Sequence, residues 1–113
     1  MSNEISKKSD IKFTVSLDEN KVPAAIDWTA EDSGMNGNRQ CKAVLLGLWD
    51  AEESAALRID LWTKEMNVDE MKQFFYETFM GLADTYQRAT DEKDVANEIR
   101  SFGEKFSKLA GIK

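Results

Sequence analysis

Hydrophobic and polar residues alternate along "IKFTVSL", with Ile11, Phe13, Val15 and Leu17 on one side and Lys12, Thr14 and Ser16 on the other. A period of two predicts a half-buried strand. "DENKVP" reads as a turn closed by Pro23, the only proline, because Asp, Asn and Pro each favour turn geometry. "PAAIDWTA" alternates again, setting Ala24, Ile26, Trp28 and Ala30 against Ala25, Asp27 and Thr29. Proline is tolerated at the first position of such a strand. "EDSGMNGNRQ", rich in Gly and Asn, is expected to be a loop. "KAVLLGLWD" is apolar on both sides, and its short length and the strand that follows predict a strand. "AEES" connects it to "AALRIDLWT", which alternates.

With residues 51–54 as the connection, a register follows by counting. Trp49 pairs with Ala56, Leu48 with Leu57, Leu46 with Ile59 and Val44 with Leu61; Gly47 meets Arg58, Leu45 meets Asp60 and Ala43 meets Trp62. One face of this hairpin is then wholly apolar and is expected to seat helices. The other is mixed: Leu45, Trp49 and Trp62 surround Arg58 and Asp60, with the bare Gly47 leaving room for Arg58 to lie flat.

From Met66 the period changes to 3.6. In "NVDE", Asn67 can cap the backbone while Glu70 reaches back, and Met66 and Met71 are spaced for a hydrophobic staple. Val68, Met71, Phe75, Phe79, Leu82 and Tyr86 form one stripe. Phe74, Tyr76 and Met80 fall outside it and are expected either to be covered by a second helix or to form part of a contact surface. That helix, capped by Thr90 or Asp91, carries the stripe Val95, Ile99, Phe102, Phe106 and Leu109 and ends at Gly111. The order β-β-β-β-α-α predicts an α+β fold: a four-stranded antiparallel sheet with two C-terminal helices packed on one face. Residues 1–9 are polar and expected to fray, leaving 10–113 as a single domain.

Composition narrows the chemistry. The 113 residues are 42% hydrophobic and 32% charged, the balance of a soluble globular chain rather than a disordered one. A net charge of -6 disfavours nucleic acid and anionic membrane surfaces, which need clustered Lys and Arg, so proteins are the expected partners. No apolar run is long enough to span a bilayer and the N-terminus carries no apolar signal region, so no membrane insertion is expected and the default location is cytoplasmic. The single Cys41 excludes an internal disulfide framework and reads as a small packing residue.

The chain contains no histidine, which removes the commonest general base and the commonest metal ligand. The acidic pairs Glu31–Asp32, Asp50 with Glu52 and Glu53, and Asp69–Glu70 lack the spacing of a calcium loop and read as solvated charge or helix-end charge. Gly34 and Gly37 have no downstream Lys-Ser/Thr, so a phosphate loop is not supported. No catalytic residue, cofactor or metal is therefore expected, and the chain reads as a non-enzyme. The mixed hairpin face, Leu45, Trp49, Arg58, Asp60 and Trp62, carries the residue types enriched at interface hot spots and is the candidate surface for a partner or for a second copy. The plainer reading is scattered surface apolar residues around one solvated ion pair.

Taken together, "IKFTVSLDENKVPAAIDWTAED", "LLGLWD", "LRIDLWTKEMNVDEMKQFF", "MGLADTYQRAT" and "KLAGIK" resemble the gliding motility-associated protein GldC family over nearly the whole chain from Ile11. The resemblance implies a non-enzymatic accessory role in bacterial gliding motility, through contact with proteins of the gliding and secretion apparatus. It brings no assigned catalytic or binding residues. The competing expectation is a small-molecule or lipid-binding domain with an apolar pocket between sheet and helices.

Overall fold

The computed structural model describes residues 5–32, 34 and 37–112. Seven elements follow one another: β1 (Ile11–Leu17), β2 (Pro23–Ala30), β3 (Arg39–Cys41), β4 (Ala43–Asp50), β5 (Ala55–Trp62), α1 (Val68–Thr90) and α2 (Lys93–Ala110). They divide into two compact units, residues 1–66 and 67–113. Of the segment expected to fray, residues 1–4 lie outside the described residues, while Lys7 reaches Asp32 at 3.0 Å.

In the first unit β1 pairs antiparallel with β2, placing Phe13 opposite Trp28 and Val15 opposite Ile26. The turn between them is built by Asp18, whose Oδ1 accepts the backbone N–H groups of Asn20 and Val22 at 2.8 and 3.0 Å. Short β3, whose Arg39 and Gln40 fall in the segment expected to be loop, pairs with β2 through Ile26–Cys41, Asp27–Gln40 and Trp28–Arg39. Ile26, fully buried, is the centre of this sheet. Met35 and Asn36 of the Gly-rich loop lie outside the described residues.

The single four-stranded sheet expected from the strand order is not what forms. A three-stranded sheet, β1-β2-β3, is separate from a two-stranded hairpin, β4-β5. The break falls at Lys42, between β3 and β4. The Lys42 carbonyl accepts two hydrogen bonds from the buried Thr63, from its N–H at 2.8 Å and its Oγ1 at 3.0 Å. Lys64 N–H donates to the Pro23 carbonyl at 3.3 Å. The Thr63–Lys42 bonds continue the β4-β5 register by one rung, so β2 pairs with the residues before Lys42 and β5 with those after it; Pro23 has no N–H with which to extend β2.

The second unit is a helical hairpin. Asn67 caps α1 by accepting from Glu70 N–H at 2.8 Å while Glu70 Oε1 accepts from Asn67 N–H, the reciprocal box that "NVDE" predicts. The turn between helices differs from expectation. Asp91 closes α1 in the left-handed conformation (φ 60°), its N–H donating to the Gln87 carbonyl, and α2 starts after Glu92 without a side-chain cap. Thr90 is the last residue of α1 rather than a cap, its hydroxyl accepting the Glu92 N–H at 3.1 Å. Gly111 ends α2 as predicted, with φ 78°.

Small residues let the helices approach: Ala83, Ala96 and Gly103 are buried. A Cβ at Gly103 would lie 2.7 Å from Met80 Sδ, so α2 covers Met80, the first of the two expectations. Tyr76 donates its hydroxyl to Glu104 Oε1 at 2.9 Å, and this carboxylate pushes the phenol pKa up. Arg100 ties the pair together, donating to Asn97 within α2 and to Asp84 and Gln87 on α1. Phe79 meets Phe75, Phe102 and Phe106 edge-on, with ring centres 6.2, 5.3 and 5.1 Å away.

Candidate functional site

The hairpin β4-β5 has the register obtained by counting: Ala43–Trp62, Leu45–Asp60, Gly47–Arg58 and Trp49–Ala56 share one face, and Val44–Leu61, Leu46–Ile59 and Leu48–Leu57 the other. The connection, residues 51–54, is closed by Asp50, which accepts from Glu53 N–H at 2.7 Å through Oδ2 and from Ser54 N–H at 3.0 Å through its carbonyl. Ser54 adopts φ 49° there. Alternation sorts side chains between the two faces locally, whatever the rest of the chain does.

All five sequence-predicted site residues therefore lie on one face. Trp49 is 72% exposed and Trp62 57% exposed. Arg58 Nη2 donates to Asp60 Oδ1 at 3.0 Å. A Cβ at Gly47 would stand 3.5 Å from Arg58 Nη1, so the guanidinium does lie against the bare glycine. Leu45 is half-buried beside them. The pair itself is solvent-screened and adds little stability. What the arrangement offers is two aromatic surfaces flanking a flat, charge-balanced centre.

On the opposite face Leu48, Leu57 and Ile59 are 50%, 49% and 47% exposed. Alternation determines which residues share a face; it carries no information on what covers that face.

Elsewhere in the first unit, a groove of about 420 Å³ opens where the two sheets meet, among Ile26, Gln40, Cys41, Lys42 and Thr63. Burial pushes the Cys41 thiol pKa up, against an opposing hydrogen bond from the Ala43 backbone and with the Asp27 charge adding to the rise. The thiol is thus protonated at neutral pH, which suits a packing residue and not a nucleophile. Among the described residues no group of three or more Cys, Asp or Glu is gathered as metal ligands would be.

One structural anchor escaped sequence reasoning. Asp18 Oδ2 accepts Lys64 Nζ at 2.8 Å, joining the β1-β2 turn to the end of β5 across 46 residues. "DENK" signals the turn, but nothing in the sequence signals so distant a partner.

These features define a class: a small α+β protein with two C-terminal helices that presents an exposed, tryptophan-flanked hairpin face. Residues 23–111 match the family model described as Gliding motility-associated protein GldC-like, and the chain belongs to that family. Membership associates it with gliding motility. No curated protein and no solved structure is significantly similar to it. Among the described residues, no helix is long and apolar enough to cross a membrane.

Proposed function

We propose that the chain is a non-enzymatic accessory protein of bacterial gliding motility, acting in the cytoplasm by binding a protein of the gliding and secretion apparatus. The contact surface is the hairpin face of Leu45, Trp49, Arg58, Asp60 and Trp62. The observation that carries this reading is the exposure of Trp49 and Trp62 on one face, either side of a balanced Arg58–Asp60 pair. Large aromatic side chains held open on a regular element lose little conformational entropy on docking, and Trp and Arg dominate hot spots.

Truncating a tryptophan anchor at the centre of an interface weakens association by about 2 kcal/mol or more. Because both side chains already stand in solvent, Trp49→Ala and Trp62→Ala are expected to leave the fold intact. In a gliding bacterium carrying either variant in place of the native chain, colony spreading should fall at unchanged protein level. Co-precipitation of apparatus proteins should fall with it. Normal spreading and undiminished co-precipitation in both variants would remove this face as the contact.

A further inference from the structure

Strand β5 has eight residues and one ladder partner, β4; among the described residues no strand pairs with its other edge. Thr63 N–H donates to the Lys42 carbonyl, which shows which way the backbone points. Residues 55, 57, 59 and 61 turn their N–H and C=O groups toward β4, so Ala56, Arg58, Asp60 and Trp62 turn theirs outward. Natural edge strands are normally blunted by lysine, proline, a bulge or shortness. Strand β5 has no lysine or proline and no register shift, and Ala55 to Asp60 are all exposed. Its only charges are Arg58 and Asp60.

We infer that this edge pairs antiparallel with the same edge of a second copy of the chain, with Ile59 on the two-fold axis. In that register Arg58 opposes Asp60 of the second copy and Asp60 opposes its Arg58. Leu57 opposes Leu61, and Ala56 opposes Trp62. The outward-pointing residues are all even-numbered, so a neighbouring register must move the axis by one residue. Placing it at residue 58 sets Arg58 against Arg58, and placing it at residue 60 sets Asp60 against Asp60. Like charges directly opposed across a ladder are unfavourable, and opposite charges are favourable. Larger slips shorten the ladder and leave the charges unopposed. The charge pattern therefore selects a single self-complementary register, as a two-fold interface requires. The product is one four-stranded sheet, β4-β5-β5-β4, with Leu57, Ile59 and Leu61 of both copies in a continuous apolar row.

The test is the mass of the full-length chain in solution. Light scattering after size exclusion should give twice the 12.8 kDa protomer. Arg58→Asp and Asp60→Arg should each raise the dimer dissociation constant about tenfold or more, by opposing like charges twice. An equimolar mixture of the two variants should re-form the dimer, because each supplies the charges the other lacks. The mixture restores only contacts between copies; the pair within each strand stays broken. In a Cys41→Ser background, Ile59→Cys should cross-link under mild oxidation, since non-hydrogen-bonded partners lie about 4.5 Å apart at Cα. Leu57→Cys should not, because its counterpart in the second copy sits four residues along the strand. A monomeric native chain, a dimer indifferent to both charge reversals, or an Ile59→Cys variant that does not cross-link would each overturn the proposal. The dimer stands apart from the proposed partner contact: Trp49→Ala should stay dimeric while losing that contact.

Discussion

Asp18 shows how much a single side chain organises in the first unit. The Lys64 ammonium holds its carboxyl down to about 2, helped by the Val22 and Asn20 N–H groups and opposed by some desolvation. Its ordinary value is 3.8, so the folded pKa lies below the unfolded one. The stabilisation is then complete above that ordinary value and is lost as pH falls from about 4 toward 2. Asp18→Asn should flatten the acid limb of the unfolding curve in that window while leaving the curve above pH 5 parallel to the native one. Circular dichroism at a series of pH values reads this directly. An acid limb of native steepness in the variant would show that the carboxylate does not carry the linkage.

At the scale of elements, α1 owes its start to a local device and its partner to packing. Asn67 and Glu70 satisfy each other's backbone N–H groups three residues apart, so Asn67→Ala should cost about 1 kcal/mol of helix stability. Denaturant melts of the full chain, compared at equal slope, would register this as a lower midpoint. Gly103 sits where α2 meets Met80. The helical stripe was readable at a period of 3.6, yet Val68, Val95 and Leu109 on it are exposed while the small residues Ala83, Ala96 and Gly103 are buried. Periodicity finds the apolar side of a helix; close approach of two backbones is set by residue size, which a hydrophobic pattern does not weigh. The same limit applies to the turn at Asp91, where a left-handed residue ends one helix in place of the cap expected for the next.

For the whole molecule, charge sets what it avoids. A net charge of -6 with 15 basic against 21 acidic residues repels the phosphate backbone. No retention on duplex DNA is expected in filter binding at physiological salt. Self-association without specificity should instead peak near the pI of about 4.7, where net repulsion vanishes. A turbidity scan against pH checks this and separates it from a two-fold dimer that persists at neutral pH.

By itself the sequence determined four of the five strands, the start of α1 and, most completely, the β4-β5 register, down to Arg58 resting on Gly47. These depend on alternation, a four-residue connection and a capping pair, all of which act between near neighbours. Only the tertiary structure decided that the sheet divides at Lys42, where pairing passes from β2 to a strand that begins well beyond it, at Ala55. It also decided that Ala83, Ala96 and Gly103, rather than the larger residues of the stripes, are the ones buried in the helical hairpin. Burial is a property of what the rest of the molecule brings near, and no local pattern of polar and apolar positions encodes it.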